Sequence, residues 1–136
     1  MMDAAQPDLP IDFSGVVTRF KGDGRRLGYP TANILLDTKA LDGVYFGFAD
    51  LDGFSRHPSL IFVGTPTTMG DMRRRVEVHL LDIPDKDYYD LPLKARAEQY
   101  HRPNRTFHDV DGLLEVMHDD ETAARRWFAD HANGYA

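Results

Sequence analysis

What most constrains the fold of this chain is its punctuation. Its apolar runs are short and β-branched, and no helical period separates them until near the C-terminal end. Phe13 to Phe20 is β-branched and aromatic and reads as a strand. Pro30 opens an extended segment running into Ile34-Leu35-Leu36, and Gly43 to Ala49 reads as a strand stopped by Asp50-Leu51-Asp52-Gly53. Ser59 to Val63 is a further run, ended by Gly64 and Pro66, and Arg75 to Leu81 alternates between polar and apolar residues. Leu91 to Tyr100 reads as a weaker, edge-like strand, because Pro92 cannot donate to a ladder. Only then does the period change. Val110, Leu113, Leu114 and Met117 lie on one helical face. Asp119 or Asp120 is a candidate cap for a second helical stretch, in which Ala123, Ala124, Trp127 and Phe128 share a face. Strands in series followed by helix predict an antiparallel barrel or sandwich closed by a C-terminal helix. They speak against a doubly wound sheet, whose strands alternate with helices.

A chain of 136 residues is expected to form one domain with a single core. Residues 1–11 read as a flexible lead-in, 12–132 as the domain and 133–136 as a tail. A hydrophobic fraction of 42% is too high for a disordered chain. Sixteen Lys and Arg against 22 Asp and Glu give a charge of −6, which argues against broad binding to duplex nucleic acid. That balance still admits a polyanionic small ligand in a local basic pocket. The absence of cysteine excludes disulfides, thiolate zinc and a thiol nucleophile. The start, MMDAAQPDLP, has neither a basic segment nor an apolar run, so no signal peptide is expected. No stretch approaches the roughly 18 apolar residues of a membrane span. The expectation is a cytoplasmic monomer with no membrane or nucleic-acid partner.

The residues densest in chemistry run from Lys21 to Asn33. Gly22, Gly24 and Gly28 let backbone approach phosphate oxygens, and Lys21, Arg25 and Arg26 place positive charge beside them. The stretch is not a P-loop, because no Gly-Lys-Ser/Thr leads into a helix. Pro30 biases Tyr29 toward an extended conformation, so Thr31 and Asn33 are predicted to share a face. A hydroxyl and an amide oxygen placed together are hard ligands suited to Mg²⁺ shared with phosphates. The plainer reading is a charged hairpin loop with local turn hydrogen bonds. On Val76-Glu77-Val78-His79-Leu80, Glu77 and His79 take the face opposite the apolar residues. A carboxylate on a rigid strand suits a general base for a hydroxyl, and the competing reading is a solvated outer face. His101, His108 and His118 lack the tight spacing of a metal site.

In order and spacing, these pieces resemble the riboflavin kinase (flavokinase) domain. The resemblance rests on Gly24-Arg25, Leu27-Gly28-Tyr29-Pro30-Thr31-Ala32-Asn33, Gly43-Val44-Tyr45 and Val76 to Asp82. It continues through Asp87-Tyr88-Tyr89, Arg102, Phe107 with Leu113, and Asp120 with Ala124-Arg125, covering residues 13 to 130. Pro-Thr-Ala-Asn after Leu-Gly is the specific part. Four positions depart from the pattern. Asp23 stands where many bacterial members are basic, and Gly64-Thr65-Pro66-Thr67 is one residue short, losing an arginine. Asp90 replaces a glycine, so the turn there is expected to change, and Asn104 replaces a flavin-side carboxylate.

The resemblance implies a mainly β fold, a six-stranded antiparallel Greek-key barrel with a C-terminal α-helix. It implies transfer of the γ-phosphoryl of ATP to the ribityl 5′-hydroxyl of riboflavin, giving FMN. Carried over, Thr31 and Asn33 would hold Mg²⁺ and the nucleotide, and Glu77 would be the base. Lys21, Gly22, Gly24, Arg25, Arg26 and Gly28 would cover the phosphates. Arg102, Asn104 and Phe107 would lie on the flavin side. Members often carry an adenylyltransferase domain upstream, for which 136 residues leave no room, so FAD synthesis is not expected. The competing expectations are a flavin- or nucleotide-binding module without turnover, and a related kinase with another hydroxyl acceptor.

Overall fold

The computed structural model describes residues 7–18, 31–36, 39–65, 73–84, 86–107 and 109–131. They fall into two compact units, residues 1–104 and 105–136.

The first unit is a six-stranded sheet of β1 (Ile11–Val16), β2 (Ala32–Leu35), β3 (Gly43–Leu51), β4 (Phe54–Gly64), β5 (Arg75–Leu80) and β6 (Pro92–Arg102). The strand order is β1-β6-β3-β4-β5-β2, and each neighbouring pair is antiparallel. Crossovers between non-consecutive strands give the Greek-key character, and the sheet curls into a nearly closed barrel. Its two outer strands approach each other. The Thr18 N–H donates to the Asn33 carbonyl at 2.8 Å, and a Cβ on Gly15 would lie 3.3 Å from the Ile34 Cβ. The period-2 alternation sends Ala32, Ile34, Tyr45, Ile61, Val63, Val76, Val78, Leu93, Ala95 and Ala97 into one buried cluster. Burying each large aliphatic side chain contributes about 1.5–3 kcal/mol. Asp52 and Gly53 turn β3 into β4 with φ of 49° and 87°, the left-handed pair that a tight hairpin requires. Gly47 allows a backbone approach no other residue permits, since a Cβ there would lie 1.9 Å from the Arg96 carbonyl oxygen.

Three expectations are corrected here. The Leu91–Tyr100 segment is no edge. As β6 it lies between β1 and β3, because Pro92 occupies the first position of the strand, where its missing N–H is least costly. The turn at Asp90 keeps its left-handed geometry, with φ of 69°, and an aspartate stands in for glycine. Asp tolerates that region better than most residues because its short side chain bonds locally. The strand expected over 13–20 begins at Ile11 and ends at Val16, with Arg19 and Phe20 outside the described residues.

The second unit holds one helix, α1 (Val110–His131), rather than two stretches. Its cap is Asp109, whose Oδ1 accepts the Gly112 N–H at 2.7 Å. Neither Asp119 nor Asp120 caps anything. Both lie within the helix, and Asp120 is buried. Thr122 returns its hydroxyl to the His118 carbonyl, and Arg125 pairs with Glu121 at 2.9 Å, so the turns are continuous where a break was expected. Among the described residues no helix is long and apolar enough to cross a membrane.

Candidate active site

Strand pairing assembles the site. Asn33 of β2 pairs with Glu77 of β5, Glu77 with Phe62 of β4, Phe62 with Val44 of β3, and Val44 with Arg102 of β6. Their neighbours Ala32, Ile34, Val76, Val78, Ile61, Val63 and Tyr45 belong to the interior cluster, so this row lies on the opposite face. One strand separates neighbours by about 4.8 Å, so Glu77 lies about 5 Å from Asn33 and about 14 Å from Arg102 along the row. A carboxylate thus stands between an amide on one side and a guanidinium on the other. The apolar Phe62 and Val44 lie between the two charged groups.

Asn33 is the most informative member. It is 1% exposed, and among the described residues neither its Oδ1 nor its Nδ2 has a hydrogen-bond partner. A buried unsatisfied polar group costs about 1–3 kcal/mol, so an amide with both ends idle points to a ligand that satisfies it. Thr31, half-buried, precedes β2 by one residue and borders a cavity of about 20 Å³ together with Val17, Ile83, Lys86, Tyr88 and Tyr89. The Asp52 carboxylate, 2.9 Å from Lys86 Nζ, raises the pKa of that ammonium. The Tyr88 hydroxyl donates to the Pro84 carbonyl at 2.7 Å, fixing one wall of the cavity.

The other end of the row is arranged by a bulge. Between the Tyr45–Tyr100 and Val44–Arg102 pairs, β6 carries one extra residue, His101, whose ring stacks on Phe46 with centroids 4.6 Å apart. Without the insertion His101, not Arg102, would face Val44. Asn104 is exposed, and its Nδ2 donates to the Val63 carbonyl at 3.0 Å. Phe107 stands in the helical unit, where the Arg105 guanidinium lies 5.9 Å from its ring centre. Lys21, Gly22, Gly24, Arg25, Arg26 and Gly28 lie outside the described residues.

Two neighbouring arginines escaped the sequence reading. Arg75 shares the face of Glu77 two residues away and is 2% exposed, although alternation alone offers no reason to bury a guanidinium. Arg74 binds the Asp42 carboxylate and the Ala40 carbonyl, tying the approach to β3 onto the start of β5. Beside that tie the buried Tyr45 hydroxyl donates to the Leu41 carbonyl. Burial first, then the Tyr100 and Asp42 charges, push its pKa up to about 12. A triple-arginine run signals charge, but only register reveals that its members have separate partners.

A family model described as riboflavin kinase matches residues 8–128. The chain belongs to the riboflavin kinase family. It is 35% identical over 127 residues to a bifunctional riboflavin kinase/FMN adenylyltransferase of Pseudomonas fluorescens, covering 91% of this chain and 40% of the relative. It is 26% identical over 125 residues to the riboflavin kinase of Homo sapiens, covering 87% of this chain and 81% of the relative. A trifunctional protein of Mycoplasmoides gallisepticum is 30% identical over 122 residues, of which the chain spans 18%. The chain therefore spans less than half the length of the bacterial relatives it matches. A crystal structure described as a macrolide-efflux protein from Streptococcus pneumoniae shares the fold, with a TM-score of 0.73 and 30% identity. That match covers 87% of this chain and 39% of the other.

Proposed function

We propose that this member of the riboflavin kinase family transfers the γ-phosphoryl of ATP to the ribityl 5′-hydroxyl of riboflavin, giving FMN and ADP. The observation that carries the reading is the buried Asn33 amide, unpartnered among the described residues, on the strand position directly opposite Glu77. Phosphoryl transfer asks a protein mainly for alignment and charge neutralisation, and this pair places one group for each task a strand apart.

The Asn33 Oδ1 and the Thr31 hydroxyl are hard neutral oxygens, the donor set that Mg²⁺ accepts when phosphates complete its shell. Mg²⁺ supplies charge neutralisation across the phosphate oxygens when bound. Asn33 Nδ2 is left to donate to a phosphate oxygen. The glycine-rich segment with Lys21, Arg25 and Arg26 serves the phosphates. Glu77 takes the proton of the 5′-hydroxyl as that oxygen bonds to the γ-phosphorus. The bond from phosphorus to the β–γ bridging oxygen breaks, and ADP leaves with the electron pair. Arg102 and Asn104 serve the flavin side. The protein works as a cytoplasmic monomer without a nucleic-acid or membrane partner.

The test is an end-point assay of purified protein with riboflavin, ATP and Mg²⁺, products separated by chromatography, with Glu77→Gln as control. FMN that depends on Glu77 is the expected result. Riboflavin or ADP bound without FMN would instead favour a binding module or another acceptor.

A further inference from the structure

Asn104, which the resemblance puts on the flavin side, has its Nδ2 engaged within the protein. Arg102 is the last residue of β6 and pairs with Val44, one residue into β3. Asn104, two residues further on, lies past the start of β3 and reaches over it to β4, where its Nδ2 donates to the Val63 carbonyl at 3.0 Å. Two glycines make the passage possible. A Cβ on Gly43 would lie 2.6 Å from the Tyr100 ring and 2.7 Å from the Arg102 carbonyl oxygen, so the end of β6 lies flush on the start of β3. A Cβ on Gly64 would lie 2.6 Å from Asn104 Nδ2, in the space the amide occupies.

We propose that Asn104 is a positioning residue for the acceptor: by bridging from the end of β6 across the start of β3 to Val63 it fixes the end of β6 and aims Arg102, and Gly64 is the space that admits its amide. The inference rests on the kinase reading above and refines it, moving Asn104 from the group that touches flavin to the group that places one that does. The distinction has consequences. A contact residue is sensitive first to its own side chain. A bridge is equally sensitive to Gly64, on another strand and carrying no functional group.

The experiment compares wild type with Asn104→Ala, Gly64→Ala and the double variant. Riboflavin affinity is read by quenching of its fluorescence, and KM for riboflavin, KM for ATP and kcat by FMN formation. Each single variant should weaken riboflavin by about two- to tenfold, the range of one lost hydrogen bond, with kcat and the ATP KM unchanged. The double variant should match a single one, because both changes remove the same bond. Gly64 has an ordinary backbone angle, and the nearest atom to an added Cβ is a movable side-chain end, so Gly64→Ala should fold normally. Thermal melts check this.

Asn104→Ala weakening riboflavin while Gly64→Ala does not would overturn the proposal in favour of direct contact. Additive losses, or two indifferent variants, would also overturn it. A wild type that makes FMN alongside indifferent variants sinks this inference alone. A wild type that neither binds nor phosphorylates riboflavin sinks the functional reading and this one together.

Discussion

Asn33 and Asn104 bring the same amide into opposite circumstances. Asn33 is buried to 1% and its side-chain amide has no partner among the described residues, whereas Asn104 is exposed and donates to a backbone carbonyl. Protein interiors ordinarily show the reverse, since a buried amide that pairs is tolerated and one that does not is costly. The difference separates two kinds of work along one sheet face. At the β2 end the fold keeps a side-chain amide unsatisfied among the described residues, where the proposed reaction would place a ligand. At the β6 end it satisfies its own polar groups to hold a strand terminus in place. Substitutions at the first end should therefore register in catalysis, and those at the second in acceptor affinity and stability.

The largest effect is expected at Glu77, one strand from Asn33 and three from Arg102. Glu77→Gln keeps the shape and removes the base, so kcat should fall by about 10² or more while nucleotide binding and melting temperature stay put. A variant that retains wild-type turnover would remove Glu77 from the chemistry and dissolve the division between the two ends.

Asn33→Leu sharpens the comparison from the other side. Replacing an amide whose two polar atoms have no partner among the described residues by an apolar group of similar shape should leave folding stability unchanged or raise it. The same change should lower kcat/KM for Mg²⁺-ATP by at least about tenfold, the loss of one or more charge-assisted contacts. Urea melts and steady-state kinetics on one preparation decide it. A destabilised but active variant would show that Asn33 is an ordinary structural amide. Thr31→Ala is the milder version. It should raise the Mg²⁺ concentration needed for half-maximal rate by a few-fold, about one hydrogen bond's worth. An unchanged metal titration would withdraw Thr31 from the site.

How much of this was legible beforehand follows from what each signal depends on. Val76-Glu77-Val78 announces its own two faces, because period 2 is a property of one strand. The opposition of Asn33 to Glu77 is not, because it depends on which of six strands become neighbours and in what register. The bulge at His101 is less legible still, since one inserted residue re-aims Arg102 without leaving a mark in composition. Pro92 misled for a related reason. A proline weakens a ladder only where its N–H is wanted, and at the first position of β6 it is not. Asp90 shows the converse, a backbone requirement that outlives the residue usually filling it. The single helix was missed because Asp119 and Asp120 look like a cap, while the actual cap, Asp109, stands just before the apolar face.

The smallest effect probes the β6 end alone. The Tyr45 hydroxyl, bonded to the Leu41 carbonyl, packs edge-to-face against Tyr100 with centroids 5.2 Å apart and sits beside the Asp42–Arg74 tie. Its pKa is raised from 10.0 to about 12, chiefly by burial, so the folded protein holds this proton more tightly than the unfolded chain does. Its contribution to stability is therefore complete below pH 10.0 and is lost as pH climbs toward about 12. Melting temperature should decline across that window, and Tyr45→Phe should flatten the decline at the expense of the Leu41 bond, about 1 kcal/mol at neutral pH. Because the group belongs to the end that secures β6, the same substitution should move the riboflavin KM, if it moves any kinetic constant, and leave the ATP KM where it was. A change confined to the ATP KM would mean that the two ends of the row are not separate devices.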